Sequence, residues 1–262
     1  MNLNRITDPL ISIIMNCKNG EKYLKHSLNS ITKQSYKNWE LIFFDNCSTD
    51  KSKEILMDFR KKNKNKIKYF KSKKKLKLYH ARNEAVKKAK GKYVCFLDTD
   101  DLWKKNKLLE QCNFMIKNNL NILCSNYIIY NMNNKKKYLR KKTKLPSGQI
   151  TQTLLDDYFI GILTIMIKKS ILKNYKFNKK FEIIGDYDLF LKLSQKYSIF
   201  SINKPLAIYR FHKENLSSSK IQLYIKEFNT WLKTNKKRFE RYNLTKLKTT
   251  IFKLKVKKLI YS

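Results

Sequence analysis

Long apolar runs are missing from this 262-residue sequence. The longest candidate, Ile160 to Ile167, has the length of a strand, and nothing approaches the roughly 20 residues that a membrane-spanning helix needs. Met1 to Pro9 lacks the apolar core of a secretory leader. Membrane contact, if made, is expected to be peripheral. Cysteine is sparse: Cys17, Cys47, Cys95, Cys112 and Cys124 contain no CxxC, and an odd number does not suit a disulfide framework. Cys17 and Cys95 sit in apolar runs and read as small core residues. A reduced, cytoplasmic compartment is the expectation. No GxGxxG or GxxxxGK run occurs, which sets aside dinucleotide-binding and P-loop readings. There is no zinc spacing and no recognisable reader helix.

Acid is the scarcer sign. Asp and Glu number 20 against 59 Lys and Arg, a formal net charge of +39. Such a field attracts nucleic acid, or an anionic membrane or substrate. It also follows from a lysine-rich composition alone, since only Arg5, Arg60, Arg82, Arg140, Arg210, Arg238 and Arg241 are arginine. Base readers favour Arg for its rigid fork, so no nucleic-acid partner is expected. A hydrophobic share of 42% and 34 aromatic residues (16 Tyr, 15 Phe and 3 Trp) argue against disorder.

The order of elements predicts an α/β fold. Leu10 to Met15 reads as a buried parallel strand, closed by Asn19-Gly20 and followed by a helix carrying Tyr23, Leu24, Leu28 and Ile31. Further strands are expected at Trp39 to Phe44, Ile67 to Phe70, Tyr93 to Leu97 and Asn121 to Tyr130. Helices fill the intervals, a pattern that predicts a parallel sheet covered by helices. Beyond that lie a basic excursion at 131–145, a short helix at 151–158 and a strand at Ile162 to Ile167. A helix at Asp186 to Tyr197 and two short strands around Pro205 complete this half. From about Ser217 the chain is helical. Leu244 to Ile260 mixes apolar residues with Lys246, Lys248, Lys253, Lys255, Lys257 and Lys258. That tail reads either as an interfacial amphipathic segment or as a helix packed on the domain with a solvated lysine face.

In open α/β sheets ligands bind beyond the carboxyl ends of the strands. Those ends here carry Asn16, Asn19, Asp45, Asn46, Asp98, Asp100 and Asp101. Three crowded carboxylates repel one another, and a hard cation such as Mg²⁺ or Mn²⁺ relieves the strain while bridging phosphate oxygens. Asp101 also reads as a turn residue ahead of the next helix. Of the scarce histidines, His26 and His80 read as packing or solvent-facing. His212, just past a strand, reads as a site residue. Cys47 has no base partner in view and is discounted as a nucleophile.

Four stretches carry a resemblance. They are Pro9 to Tyr36, beginning PLISIIMNCKNGEKYLKHSL; Trp39 to Asp50, WELIFFDNCSTD; Ala81 to Asp101, with ARNEA and CFLDTDD; and Ile184 to Leu193, IGDYDLFLKL, trailed by Tyr209 to His212. In that order and spacing the chain resembles bacterial family 2 of inverting glycosyltransferases, which have the GT-A fold. The resemblance spans about residues 9 to 216 and leaves the tail uncovered. It implies a Rossmann-like nucleotide-diphospho-sugar transferase domain with a mostly parallel central sheet over 1–216. The nucleotide-binding half would be about 9–130 and the acceptor half about 131–216, with 217–262 as a basic amphipathic helical tail.

The resemblance also implies roles. Asp45 contacts the base, Asn16 and Asn19 the nucleotide, and Arg82 lies near the donor diphosphate. Asp98 and Asp100 form the DxD motif, facing ribose, metal and diphosphate, and His212 completes the metal or phosphate shell. Asp186 is the catalytic base. Its place at a helix start favours the ionised form. Where the family has a second Asp after Asp45 this chain has Asn46, and where it has Glu before the base it has Gly185. The implied cofactor is Mn²⁺ or Mg²⁺ and the implied donor a UDP-sugar. The implied acceptor is a glycan or lipid-linked oligosaccharide of lipopolysaccharide, capsule or other surface polysaccharide. The expected location is cytoplasmic, at the inner face of the cell membrane if the tail binds lipid.

Overall fold

The computed structural model describes residues 8–261, with side chains as far as Val256. Ile11–Cys17 (β1) and Trp39–Asp45 (β2) are buried at every residue, as strands covered on both faces must be. They pair in parallel, with Ile67–Lys71 (β3) beyond β2 and Tyr93–Phe96 (β4) on the other side of β1. The connecting helices are Glu21–Thr32 (α1), Ser52–Lys62 (α2) and Leu78–Lys88 (α3).

The second half completes the sheet. Leu102–Trp103 (β5) precedes Lys107–Lys117 (α4). Ile122–Asn131 (β6) pairs antiparallel with Lys136–Leu139 (β7), so the basic excursion is a hairpin. After Thr151–Asp156 (α5) come Met166–Lys168 (β8), Lys169–Asn174 (α6), Gly185–Ser194 (α7) and Ile199–Phe211 (β9). The order is β3-β2-β1-β4-β8-β6-β9-β5, with β7 on β6, and most paired positions are parallel. Strand β8 runs antiparallel between β4 and β6.

Two expectations change. Ile162 to Ile167 is not one strand: Ile162–Thr164 is a 3-10 turn, and only β8 follows. The turn places Leu163 where its carbonyl accepts the Trp103 indole N–H at 2.8 Å. The two strands around Pro205 are one, β9, whose register against β6 shifts on both sides of Asn126. Proline donates no ladder hydrogen bond, and a bulge is where a strand tolerates it.

Alternation along the strands divides the core. Ile14, Ile42, Val94 and Phe96 face a cluster with α3, α5 and α7, while Ile13, Met15, Leu41 and Phe43 face one with α1, α2 and α4. The tail joins the first cluster. Ile221–Asn235 (α9), after the short turn of helix Leu216–Ser219 (α8), buries Phe228 and Trp231, and Thr245–Tyr261 (α10) buries Leu247 and Ile251. Fully burying a Trp is worth about 3–5 kcal/mol by truncation. Trp231 also donates its indole N–H to Asp188, whose other oxygen takes the Lys192 ammonium. Glu227 accepts the backbone N–H groups of Glu182, Ile183 and Ile184 at 2.6, 2.9 and 3.1 Å. Among the described residues no helix is long and apolar enough to cross a membrane.

Candidate active site

The loops after β1 and β2 are stitched together. Asn19 adopts φ 52°, and its side-chain oxygen accepts the Thr49 N–H at 2.9 Å. Across the same gap the Asp50 carboxylate accepts the Glu21 N–H and the Glu21 carboxylate accepts the Lys51 N–H. Asp45 is buried, with one oxygen on the Ser48 N–H and the other on the Tyr69 hydroxyl, both at 2.8 Å. Asn46 clamps the lysine-rich loop by donating to the Leu76 carbonyl and accepting the Leu76 N–H. An aspartate could not donate, so Asn at this position has a local reason. Asn16 differs from these. Both of its amide atoms are buried and lack a protein partner among the described residues. Buried polar groups are almost always hydrogen-bonded, so this one suits a ligand.

At the end of β4, Asp98 pairs with the Arg82 guanidinium from α3. Arg82 is itself buried, and an unpaired buried charge is costly. Its planar group packs against the rings of Tyr79, Phe96 and Phe177 at 5.2–5.9 Å. The Tyr79 hydroxyl lies 2.9 Å from both Asp186 Oδ1 and the Ile183 carbonyl. The Tyr187 N–H also reaches Asp186 Oδ1, at 2.9 Å. Asp186 Oδ2 has no protein partner among the described residues. Asp98, Arg82, Tyr79 and Asp186 thus form a chain of contacts from the end of β4 to the start of α7.

One reading of this region is corrected here. The helix start does not leave Asp186 an easily ionised carboxylate. Burial raises its pKa, and the Tyr79 hydroxyl, Arg82 and the Tyr187 N–H only partly oppose that. The residue before it is Gly because a Cβ there would come within 2.3 Å of the Tyr79 ring. The space a Glu side chain would take is filled by Tyr79.

The third group lies where β9 ends. His212 Nε2 is 3.2 Å from Asp100 Oδ2, and the Asn215 amide lies 3.3 Å from each of those atoms. Asn215 also accepts the His212 N–H at 2.6 Å. Tyr23 of α1 packs on the His212 ring with centroids 4.9 Å apart. His212 Nδ1 is buried without a hydrogen-bond partner among the described residues, with Glu214 Oε2 at 4.0 Å. Asp101 points the other way and accepts the Arg210 N–H at 2.9 Å. Ser27 of α1 donates to the carbonyls of Thr99 and Asp101, holding the turn. Burial raises the pKa of Asp98 and of Asp101, and the Asp100 charge adds to both.

The donor set fits a divalent cation in part. Two neighbouring ligands of an octahedral ion with bonds of about 2.1 Å stand about 3 Å apart, and Asp100 and His212 already have nearly that separation. Asp98 is turned to Arg82 instead. Among the described residues no three His, Cys, Asp or Glu side chains converge on one metal-sized point.

The expected residues therefore fall into three clusters: Asn19 and Asp45 in the stitched loops, Asp98, Arg82 and Asp186 around Tyr79, and Asp100 with His212. Asn16 stands alone. The histidines set aside behave as such, with His26 exposed and His80 near Glu84. Sequence reasoning missed Tyr79, Asn215, Ser27 and Lys18. The last is solvent-facing; slight desolvation and the adjacent Lys75 ammonium lower its pKa, with Lys220 contributing. Lys75 lies in the loop between β3 and α3. Nothing local marks these four, since their partners lie far off in sequence.

Residues 12–191 match the family model described as Glycosyl transferase family 2. The chain is 33% identical over 217 residues to an Escherichia coli protein, UDP-Glc:alpha-D-GlcNAc-diphosphoundecaprenol beta-1,3-glucosyltransferase WfgD, covering 82% of each chain. It is 30% identical over 214 residues to the putative teichuronic acid biosynthesis glycosyltransferase TuaG of Bacillus subtilis, covering 81% of this chain and 83% of that one. Among solved structures it is similar to S. aureus TarS 1-349 in complex with UDP-GlcNAc, at a TM-score of 0.68 and 22% identity. That match covers 85% of this chain and 66% of TarS 1-349. It shows a shared GT-A-type fold.

Proposed function

We infer that this chain, which belongs to glycosyl transferase family 2, moves a sugar with inversion from a nucleotide-diphospho-sugar to an acceptor hydroxyl. The observation that carries the reading is the run of contacts joining Asp98, Arg82, Tyr79 and Asp186 at the carboxyl ends of the strands. Donor-binding and acceptor-activating groups would have to meet there.

In this reading the donor half is about 9–130 and the acceptor half about 131–216. The unpartnered Asn16 amide and the buried Asp45 receive the nucleoside, while Arg82, Lys18 and Lys75 supply positive charge for the diphosphate. Asp100 and His212 would hold a divalent cation, with Asp98 joining them if it turned from Arg82, and such an ion would offset charge on the leaving diphosphate. Asp186 takes the proton of the acceptor hydroxyl through Oδ2 as the glycosidic bond forms. Its raised pKa makes it a stronger base than a surface aspartate. The hydroxyl attacks the anomeric carbon on the face opposite the diphosphate, so configuration inverts. The activity for which WfgD is named, with a UDP-sugar donor and a diphosphoundecaprenol-linked acceptor, supports a UDP-sugar and a lipid-linked glycan here. The relatives support a place in polysaccharide synthesis.

A donor screen tests this by following release of nucleoside diphosphate with and without Mn²⁺, alongside proton NMR of the product's anomeric centre. Metal-stimulated release and an inverted product are expected. Retained configuration would overturn the single displacement. No release from any donor, with tight binding of duplex DNA, would overturn the enzyme reading.

A further inference from the structure

The outer face of the tail carries the most exposed large apolar side chain among the described residues, Phe252. Along α10 the buried residues Leu247 and Ile251 mark the packed side. At 3.6 residues per turn, Phe252 and Val256 project from roughly the opposite side. Phe252 is 65% exposed and Val256 38% exposed. Exposed lysines flank this ridge, Lys248 and Lys255 on one side and Lys253 on the other. Beside it, α9 and α10 enclose a shallow groove of about 640 Å³. Lys226 and Lys233 line it from α9 and Lys255 from α10, with Gln222 and Asn229 between them and no carboxylate among the lining side chains.

We propose that this face is a binding site for anionic phospholipid at a bilayer surface, with Phe252 and Val256 entering the interfacial zone and the α9–α10 groove receiving headgroup phosphate. Residues 217–262 carry 13 Lys and Arg against Glu227 and Glu240, and Glu227 is consumed inside the fold. Lys220 and Lys246 pair with Glu182 and Asp156 of the domain, and the remaining lysines leave the face strongly positive, complementary to an anionic leaflet. An exposed apolar ridge rimmed by lysine is the composition of an interfacial helix. Lysine stems reach along such a ridge while their ammoniums stay in water. The packed side of α10 fixes this orientation, so the ridge faces outward before any lipid is met. The site lies outside the catalytic clusters, and its test does not depend on sugar transfer.

Flotation of the full-length protein with phosphatidylcholine vesicles, with and without phosphatidylglycerol, decides it. Binding is expected only with phosphatidylglycerol and should weaken with salt. A chain this basic binds polyanions diffusely, so variants carry the test. Phe252→Ser with Val256→Ser should weaken binding about tenfold. Lys226→Gln, Lys233→Gln and Lys255→Gln together should weaken it about tenfold and flatten the salt dependence. Removing three exposed lysines elsewhere (Lys53, Lys62 and Lys64, each to Gln) should change it less than about twofold. Thermal melts confirm that each variant is folded. Unchanged binding in the Phe252/Val256 variant would overturn the proposal, as would equal losses from the two triple-lysine variants. Loss of duplex-DNA binding by the groove variant, with vesicle binding intact, would also overturn it and point to nucleic acid.

Discussion

The two ends of the central sheet hold similar chemistry in opposite states. At the amino ends of β1 and β2, the buried Glu40 accepts from the Ser12 hydroxyl and the Lys90 N–H at 2.6 Å each, and from the Lys68 ammonium. The Gly91 N–H closes the network on Ser12 at 2.8 Å. Burial alone would raise the pKa of Glu40, yet Lys68, Ser12 and the Lys90 N–H bring it below its ordinary value. At the carboxyl ends, Asp98, Asp101 and Asp186 are raised, and the Asn16 amide and His212 Nδ1 lack hydrogen-bond partners among the described residues. Trp39 Nε1 and Gln111 Oε1 are unpartnered too, so the contrast lies in the carboxylates: the fold itself holds Glu40 ionised, and it leaves the carboxylates of the proposed site raised.

The comparison can be broken most severely at Asp186. Asp186→Asn keeps the volume and most hydrogen bonding, so the protein should fold and bind donor normally while turnover falls about 10²–10⁴-fold. Asp100→Ala should instead lose Mn²⁺-dependent nucleotide affinity together with rate. Calorimetry beside turnover separates the two. Wild-type turnover in Asp186→Asn would remove it as the base.

At the other end, Glu40→Gln should cost about 2–4 kcal/mol of stability by leaving a buried charge network incomplete. Donor affinity should not change. Because the folded pKa of Glu40 is depressed, its stabilisation is full above the unfolded value and is lost as pH falls through the folded one. Urea midpoints of wild type and variant should therefore converge toward acid pH. A gap that stays constant on acidification would refute the assignment.

Tyr79→Phe sharpens the contrast inside the site. It removes a hydrogen bond that lowers the pKa of Asp186. The acid limb of the rate profile should move to higher pH, with turnover down about tenfold at neutral pH. An unmoved limb would mean that Tyr79 only packs. The smallest effect is expected at Asn16. Asn16→Leu deletes polar atoms that bond nothing, so stability should change by less than about 1 kcal/mol while donor affinity weakens. A large loss of stability would show that Asn16 supports the fold after all.

Much of the first half was legible because its signals are local. Strands β1, β2 and β4 are largely apolar, and Asp45, Asp98 and Asp100 stand at or shortly beyond their ends. The second half was less so. Tyr79 meets Asp186 across 107 residues, and Asn215 meets Asp100 across 115. Periodicity carries no information at that range. Gly185 read as a missing Glu, although it is the space that the Tyr79 ring occupies. Asp188 is a buried anchor for Trp231, 43 residues further on. Strand β5, two residues long, is too short for any pattern.

The hold of Glu227 on the backbone at Glu182, Ile183 and Ile184 reaches back 43 to 45 residues. A protein emerges from the ribosome in order, so the three N–H groups just before Asp186 exist for some time before their carboxylate does. Strands β1 to β4 and their helices can assemble while the later chain is still being made. The segment carrying Asp186 is fastened only when α9 arrives. In the proposed reading, the nucleotide-facing strands are therefore made well before the acceptor side is held in place.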